Sequence, residues 1–241
     1  ISCMSQFDNR IVLWLKERWL VVLVGVVALA IALIAVRVNL RFWSLDTIGT
    51  DTYYSWIEGR RINDGRNPYE RVLHGDMEEN NKYATYFPLF YEASALVQKL
   101  GIRQYQAWID FWRYIFLGCN IAVGLTLCAI LFSRRTWALA LLAMPFWYFN
   151  RWTMNASATV ALDFIPIFLM ILSLGLFERY RKTSLILFGV SLAIKQIAIF
   201  LAPLYLVWEY QQTRSFKKTI IAGLWIVLVP LLASIPFLFW H

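Results

Sequence analysis

Apolar residues fall in seven runs, at 19–36, 108–132, 136–148, 160–177, 184–194, 197–208 and 220–240, with a long segment after the first and short polar or basic connections between the others. A helix needs about 20 apolar residues to cross a bilayer, and fewer where it is broken or re-entrant. The pattern predicts an all-α integral membrane protein: a multi-helix bundle of about seven membrane segments, forming one transmembrane domain over residues 1–241. The first run also has the look of a signal peptide. It is long for one, and "AVRVN" is a poor cleavage site, so it reads as a retained helix. The chain opens on Ile1, which puts the start of translation at Met4 or upstream.

Basic residues cluster in the short connections: "LKERW" before the first run, "SRR" at 133–135, "ERYRK" at 178–182 and "TRSFKK" at 213–218. Short loops rich in Lys and Arg stay in the cytoplasm, so these four and the N-terminus are expected there. The stretch 184–208 has cytoplasmic charge at both ends and must enter the membrane and return. It is too short for two full helices, which predicts a hairpin of short helices meeting at "IKQIA". Lys195 and Gln196 then sit at the bend towards the outer leaflet. A lysine at that depth is functional by default; snorkelling to the headgroups is the competing explanation.

Residues 37–104 form a long outer-face loop by the same logic. Read as a helix from about Thr47 to Asp64, "GTDTYYSWIEGRRINDGRNPYE" at 49–70 separates into two stripes. Asp51, Tyr54, Glu58 and Arg61 lie on one; Tyr53, Trp56, Ile57 and Arg60 lie on the other. Such a helix lies in the interface with its aromatics at headgroup level and its polar stripe turned to a cavity or water. Gly65 and Pro68 supply stop signals, and Glu58 can pair with Arg61. Asp51 has two readings: an acid in the first helical turn behind an Asp46 or Thr47 cap, or a reactive carboxylate.

Composition narrows the chemistry. The chain is 60% hydrophobic and 16% charged, with 17% aromatics, and its mean hydropathy is +0.55, far from the balance of a soluble domain. The net charge of +8 lies in the connections, where retention on one side of the membrane explains it, so no nucleic-acid partner is expected. Cys3, Cys119 and Cys128 have no ligand spacing, and with His74 and His241 the only histidines, no histidine-rich metal site can form.

An acid in the first outer loop, then "GRNPY" at 65–69, "YATYFPL" at 83–89 and a lysine at the tip of a later hairpin resemble the membrane glycosyltransferases of family eighty-seven. These belong to the C-type, polyprenyl-phosphate-sugar-dependent superfamily and include the mannosyltransferases of phosphatidylinositol mannoside synthesis. The resemblance covers mainly 45–90, with weaker support to about 208. It implies Asp51 as the catalytic base and Lys195 as the residue near the lipid phosphate. Gly65, Pro68 and Tyr69 form the turn after the loop helix in this resemblance, and Tyr86 and Pro88 the aromatic-proline element before the next helix.

Phe87 stands where the family often has another proline, and Gln196 where proline is frequent. The family's asparagine- and glutamine-rich turn is echoed only by "NRWTMNAS" at 150–157. Members continue through several more helices past the position of His241, which implies a shortened form.

A polyprenyl-phosphate leaving group needs little general-acid help, so a single carboxylate suffices and direct displacement inverts the anomeric centre. The implied reaction moves a hexose, mannose by analogy, from a polyprenyl-phosphate sugar to a lipid or glycan acceptor at the outer face of a bacterial plasma membrane, with no cofactor and no metal. Cations should meet the growing phosphate charge: Lys195 first, Arg151 second and Arg61 third, although Arg151 reads equally as an interfacial anchor. Tyr54, Tyr69, Tyr86 and Gln196 complete the substrate-binding set. Asp110 and Arg113 read as an ion pair, and Asp163 reads as either a structural acid or a substrate contact. Trp147, Tyr148 and Trp152 read as an interface belt. A non-catalytic lipid-binding or assembly subunit is the alternative from another class.

Overall fold

The computed structural model describes residues 2–43, 46–70 and 84–240, with side chains from residue 18 onward. The Cys3 side chain and residues His74, Tyr83 and His241 lie outside what is described. Among the described residues the chain is all-helical, with no strand.

Three helices are long and apolar enough to cross a membrane. They are α1 (Ser2–Arg41), through its Arg18–Arg41 part, α4 (Tyr105–Ser133) and α10 (Phe216–Leu238). At 24, 29 and 23 residues and about 1.5 Å per residue, each exceeds the ~30 Å of a hydrocarbon core. Large apolar side chains remain exposed along α1 (Val22, Leu29, Leu33) and α10 (Leu224, Val227, Leu231). A lipid-facing surface has this character.

The remaining apolar runs fold into shorter pieces. They are α5 (Trp137–Phe149), α7 (Phe164–Leu176), α8 (Arg181–Ile194) and α9 (Ala202–Thr213), of 13, 13, 14 and 12 residues, or about 18–21 Å each. Local chemistry sets the breaks. Asn150 adopts extended backbone, and its amide donates to the Phe146 and Trp147 carbonyls while its oxygen accepts from the Thr153 amide. One side chain thereby closes α5 and opens α6 (Arg151–Ala158). Lys195, also extended, ends α8, and a 3₁₀ turn at Gln196–Leu201 leads into α9.

Besides the short α6, two helices stand outside the long apolar runs: α2 (Asp51–Asn63) and α3 (Leu89–Lys99), which pack on one another. The helix in the opening stretch is shorter than expected. It begins at Asp51 because Thr50, not Asp46 or Thr47, accepts the Tyr53 amide. It ends at Gly65, whose φ of +76° suits a residue without a Cβ. Gly59 lets α3 approach: a Cβ there would lie 2.3 Å from Ser94 Oγ. Asn63 donates to the Ala95 carbonyl at 3.0 Å and Gln98 to the Trp56 carbonyl at 2.9 Å, locking the pair.

Three apolar clusters hold the helices together. Phe90, Trp108, Trp112, Phe116 and Phe164 join α3, α4 and α7. Small α1 residues (Ala28, Ala32, Ala35) meet Met144 and Tyr148 of α5, the close-approach chemistry of helix pairs in lipid. Phe188, Tyr205 and Ile226 join α8, α9 and α10. Tyr148 is not part of an interface belt. It is fully buried and donates to the Ile121 carbonyl, filling the space that Gly124 leaves open. Trp147 likewise turns inward, donating to Asn120 Oδ1 at 2.8 Å; Trp152 stays exposed.

Candidate functional site

Four separate parts of the chain meet at one polar centre. Asp51 enters as the first residue of α2, Tyr86 from the segment 84–88, Asp163 from the turn that opens α7, and Lys195 from the end of α8. Thr52 anchors α2 to the turn before Asp163 through a buried 2.6 Å bond to the Val160 carbonyl. Lys195 can reach the centre because its extended backbone leaves the helix, its amide still bonded to the Ser191 carbonyl at 3.1 Å.

Lys195 Nζ lies 2.7 Å from Asp163 Oδ1 and 3.5 Å from Asp51 Oδ2, and 4.8 Å from the centre of the Tyr86 ring. The Tyr86 hydroxyl donates to the same Asp51 oxygen. One ammonium is thus shared by two carboxylates and rests on an aromatic face. With the lysine side chain only 13% exposed, such a charge is tolerated because it is paired.

Burial, reinforced by the bond to Asp51 and by the charges of Asp51 and Asp163, pushes the Tyr86 phenol above its ordinary 10.0. Tyr86 therefore stays a donor at neutral pH. Tyr69 is pushed up by burial first, then by Tyr91, Glu92 and Glu58. Its hydroxyl donates to the Tyr86 carbonyl at 2.6 Å and so holds the segment bearing Tyr86 in place.

Beside the polar centre runs a mainly apolar groove of about 620 Å³, lined by Tyr69, Tyr86, Phe87, Gln196, Ile199 and Phe237 among others. Tyr86 belongs to both: its ring lines the groove while its hydroxyl meets Asp51. Gln196 donates to the Thr85 carbonyl at 2.8 Å, and its Oε1 has no partner among the described residues. On the far wall, Asn67 donates to the Phe237 and Trp240 carbonyls at 3.1 Å, closing the open end of α10 and tying it to the turn after α2.

Of the expected site residues, Asp51, Lys195, Tyr86, Tyr69 and Gln196 come together around this centre and groove. Arg61 instead pairs with Glu58 at 3.4 Å and Glu70 at 3.5 Å. Arg151 is exposed at the start of α6 and pairs with no carboxylate among the described residues. Tyr54 is half-buried, its ring edge-on to Tyr53.

The sequence left Asp163 open between two roles, and it is the shortest contact of Lys195. Its only sequence signal is an acid placed directly before an apolar helix. Asp110 pairs with Arg113 at 2.9 Å. Among the described residues no three His, Cys, Asp or Glu side chains stand together as a metal site would need. Comparison with family models, curated proteins and solved structures finds no match to this chain.

Proposed function

We propose that the protein is an inverting glycosyltransferase that moves a hexose, mannose by analogy, from a polyprenyl-phosphate carrier to the hydroxyl of a lipid or glycan acceptor. The observation that carries this reading is the convergence of Asp51, Tyr86 and Lys195 at the edge of an apolar groove. A polyprenyl phosphate combines a long apolar chain with an anionic group, and it needs an apolar track leading to a cation.

In the proposed step Asp51 takes the proton of the acceptor hydroxyl, and that oxygen attacks the anomeric carbon. The bond from that carbon to the phosphate oxygen breaks, and the phosphate leaves with the electron pair. Lys195, held by Asp163, meets the charge growing on the phosphate. Tyr86 orients Asp51, and the buried, unpartnered Gln196 oxygen accepts from a sugar hydroxyl that enters the groove. No cofactor or metal enters the step. The setting is a bacterial plasma membrane with the N-terminus cytoplasmic and the site outside. The four shorter helices join the three long ones as about seven membrane segments, tilted or re-entrant around the site.

The test uses proteoliposomes with a lipid-linked mannose donor and a hydroxyl acceptor. Asp51→Asn and Asp51→Ala are expected to cut turnover at least about 100-fold in protein that still folds, with a lowered unfolding temperature from the lost Tyr86 and Lys195 contacts. Unchanged turnover in folded Asp51→Ala removes Asp51 from the reaction. An inactive wild type that co-purifies with a longer transferase would instead mark an assembly subunit.

A further inference from the structure

A second cavity lies on another side of α2, away from the Asp51 stripe. It is a cleft of about 680 Å³ between the second half of α2, the end of α3 and the connection into α4. Three basic residues line it, Arg60, Lys99 and Arg103, each exposed, with one acid, Asp64. No carboxylate among the described residues lies within ion-pair distance of any of the three. All three line one cleft, which concentrates their charge there.

The wall behind these cations is rigid. Trp56 donates to the Arg103 carbonyl at 3.2 Å, and its own carbonyl accepts from the buried Gln98 amide. Its ring stacks on Tyr53 with centroids 6.0 Å apart, meets Tyr105 edge-on at 5.4 Å and carries the Arg60 guanidinium at 5.9 Å. A cleft preorganised in this way loses little on receiving a ligand.

Depth identifies the ligand. The floor of the cleft reaches Tyr105, the first residue of a helix long enough to cross the membrane. Leu96 and Leu100, flanking Lys99 in sequence, are 57% and 75% exposed. Cations and an aromatic wall in the cleft, with exposed leucines beside Lys99 at the end of α3 and a membrane-crossing helix starting at Tyr105, match the boundary between headgroups and acyl chains.

We propose that this cleft binds the phosphate of an anionic lipid headgroup, with Arg60, Lys99 and Arg103 on the phosphate and the lipid's chains against Leu96 and Leu100. The site is separate from the groove beside Tyr86 and does not depend on the transferase reading. By clamping the ends of α2 and α3, a bound lipid braces the helix whose first residue is Asp51.

The test titrates the full chain in neutral detergent with palmitoyl-oleoyl phosphatidylglycerol or palmitoyl-oleoyl phosphatidylcholine and counts retained lipids by native mass spectrometry. Phosphatidylglycerol is expected to be retained roughly tenfold better. The triple variant Arg60→Gln/Lys99→Gln/Arg103→Gln is expected to bring the two within about twofold while unfolding at the wild-type temperature. A control variant, Lys182→Gln/Lys217→Gln/Lys218→Gln, removes the same charge from exposed positions elsewhere and should keep the preference. Equal retention of the two lipids by wild type, or an equal loss in the control, overturns the proposal. Glycerol 1-phosphate has the head but no chains and should compete weakly; displacement of the lipid at equal concentration overturns the assignment to lipid.

Discussion

The two ends of α8 solve the same problem differently. At its start, Arg181 meets Glu209 of α9 through two contacts, 3.2 and 3.4 Å, and also bonds Gln212 and lies over the Phe177 ring at 5.5 Å. A planar guanidinium matches one carboxylate, and the Glu209 side chain is only 4% exposed. At its end, Lys195 is a point charge shared by two acids from different elements beside an open groove. The first arrangement sets one guanidinium against one buried carboxylate, and its exposed half is the arginine, at 35%. The second holds more carboxylate than cation, and one of its acids, Asp51, is 32% exposed. A clamp requires only the first arrangement; reaction chemistry needs the reachable acid of the second.

The contrast can be broken at either end. Arg181→Met strands a buried carboxylate and should cost about 3 kcal/mol, read as a lowered unfolding temperature in detergent. Lys195→Met should cost less, about 1–2 kcal/mol, because water reaches Asp51 and screens it. Adding Asp163→Asn to Lys195→Met removes the stranded neighbour and should return part of that loss. If the double variant is less stable than Lys195→Met, the two acids do not share the lysine.

The smallest expected effect is Tyr86→Phe, about 1 kcal/mol for one lost bond to a carboxylate. It carries a pH signature. Burial raises the Tyr86 and Tyr69 phenols above the ordinary 10.0, so the folded chain keeps protons that the unfolded chain releases. Their contribution is intact below pH 10 and falls as the pH rises beyond it. Wild type should lose stability progressively as the pH rises above about 10, and Tyr86→Phe should lose it less steeply. Equal slopes would contradict the burial of this phenol.

The apolar runs were legible in the sequence because hydrophobic periodicity records what faces lipid or core. The Glu58–Arg61 and Asp110–Arg113 pairs were legible because three-residue spacing on a helix is local geometry. The start of α2 was misread by several residues because Asp46, Thr47 and Thr50 are all good caps, and only packing chooses among them. The aromatic belt was misread at Tyr148 because its partner is a missing Cβ at Gly124 on a different helix. The run at 136–148 matches α5 closely, whereas helix length was overread at 160–177, where the turn before Asp163 keeps the first residues of the run out of α7. The basic cleft left little trace, since Arg60 comes beside Lys99 and Arg103 only after α2 docks on α3.

That only three of the helices described are long enough to cross a bilayer emerged from the structure; composition and patterning alone determined that this chain folds as helices apolar enough for a membrane, and that a polar, aromatic segment follows the first apolar run. These properties depend on residues near one another in sequence, where turn geometry and transfer from water act directly. Which charges meet was decided by the tertiary structure: Lys195 lies between Asp163 and Asp51, and Tyr86 lies on Asp51. Those partners are separated by 32, 144 and 35 positions, and no local rule relates side chains so far apart until helix packing has set their distance.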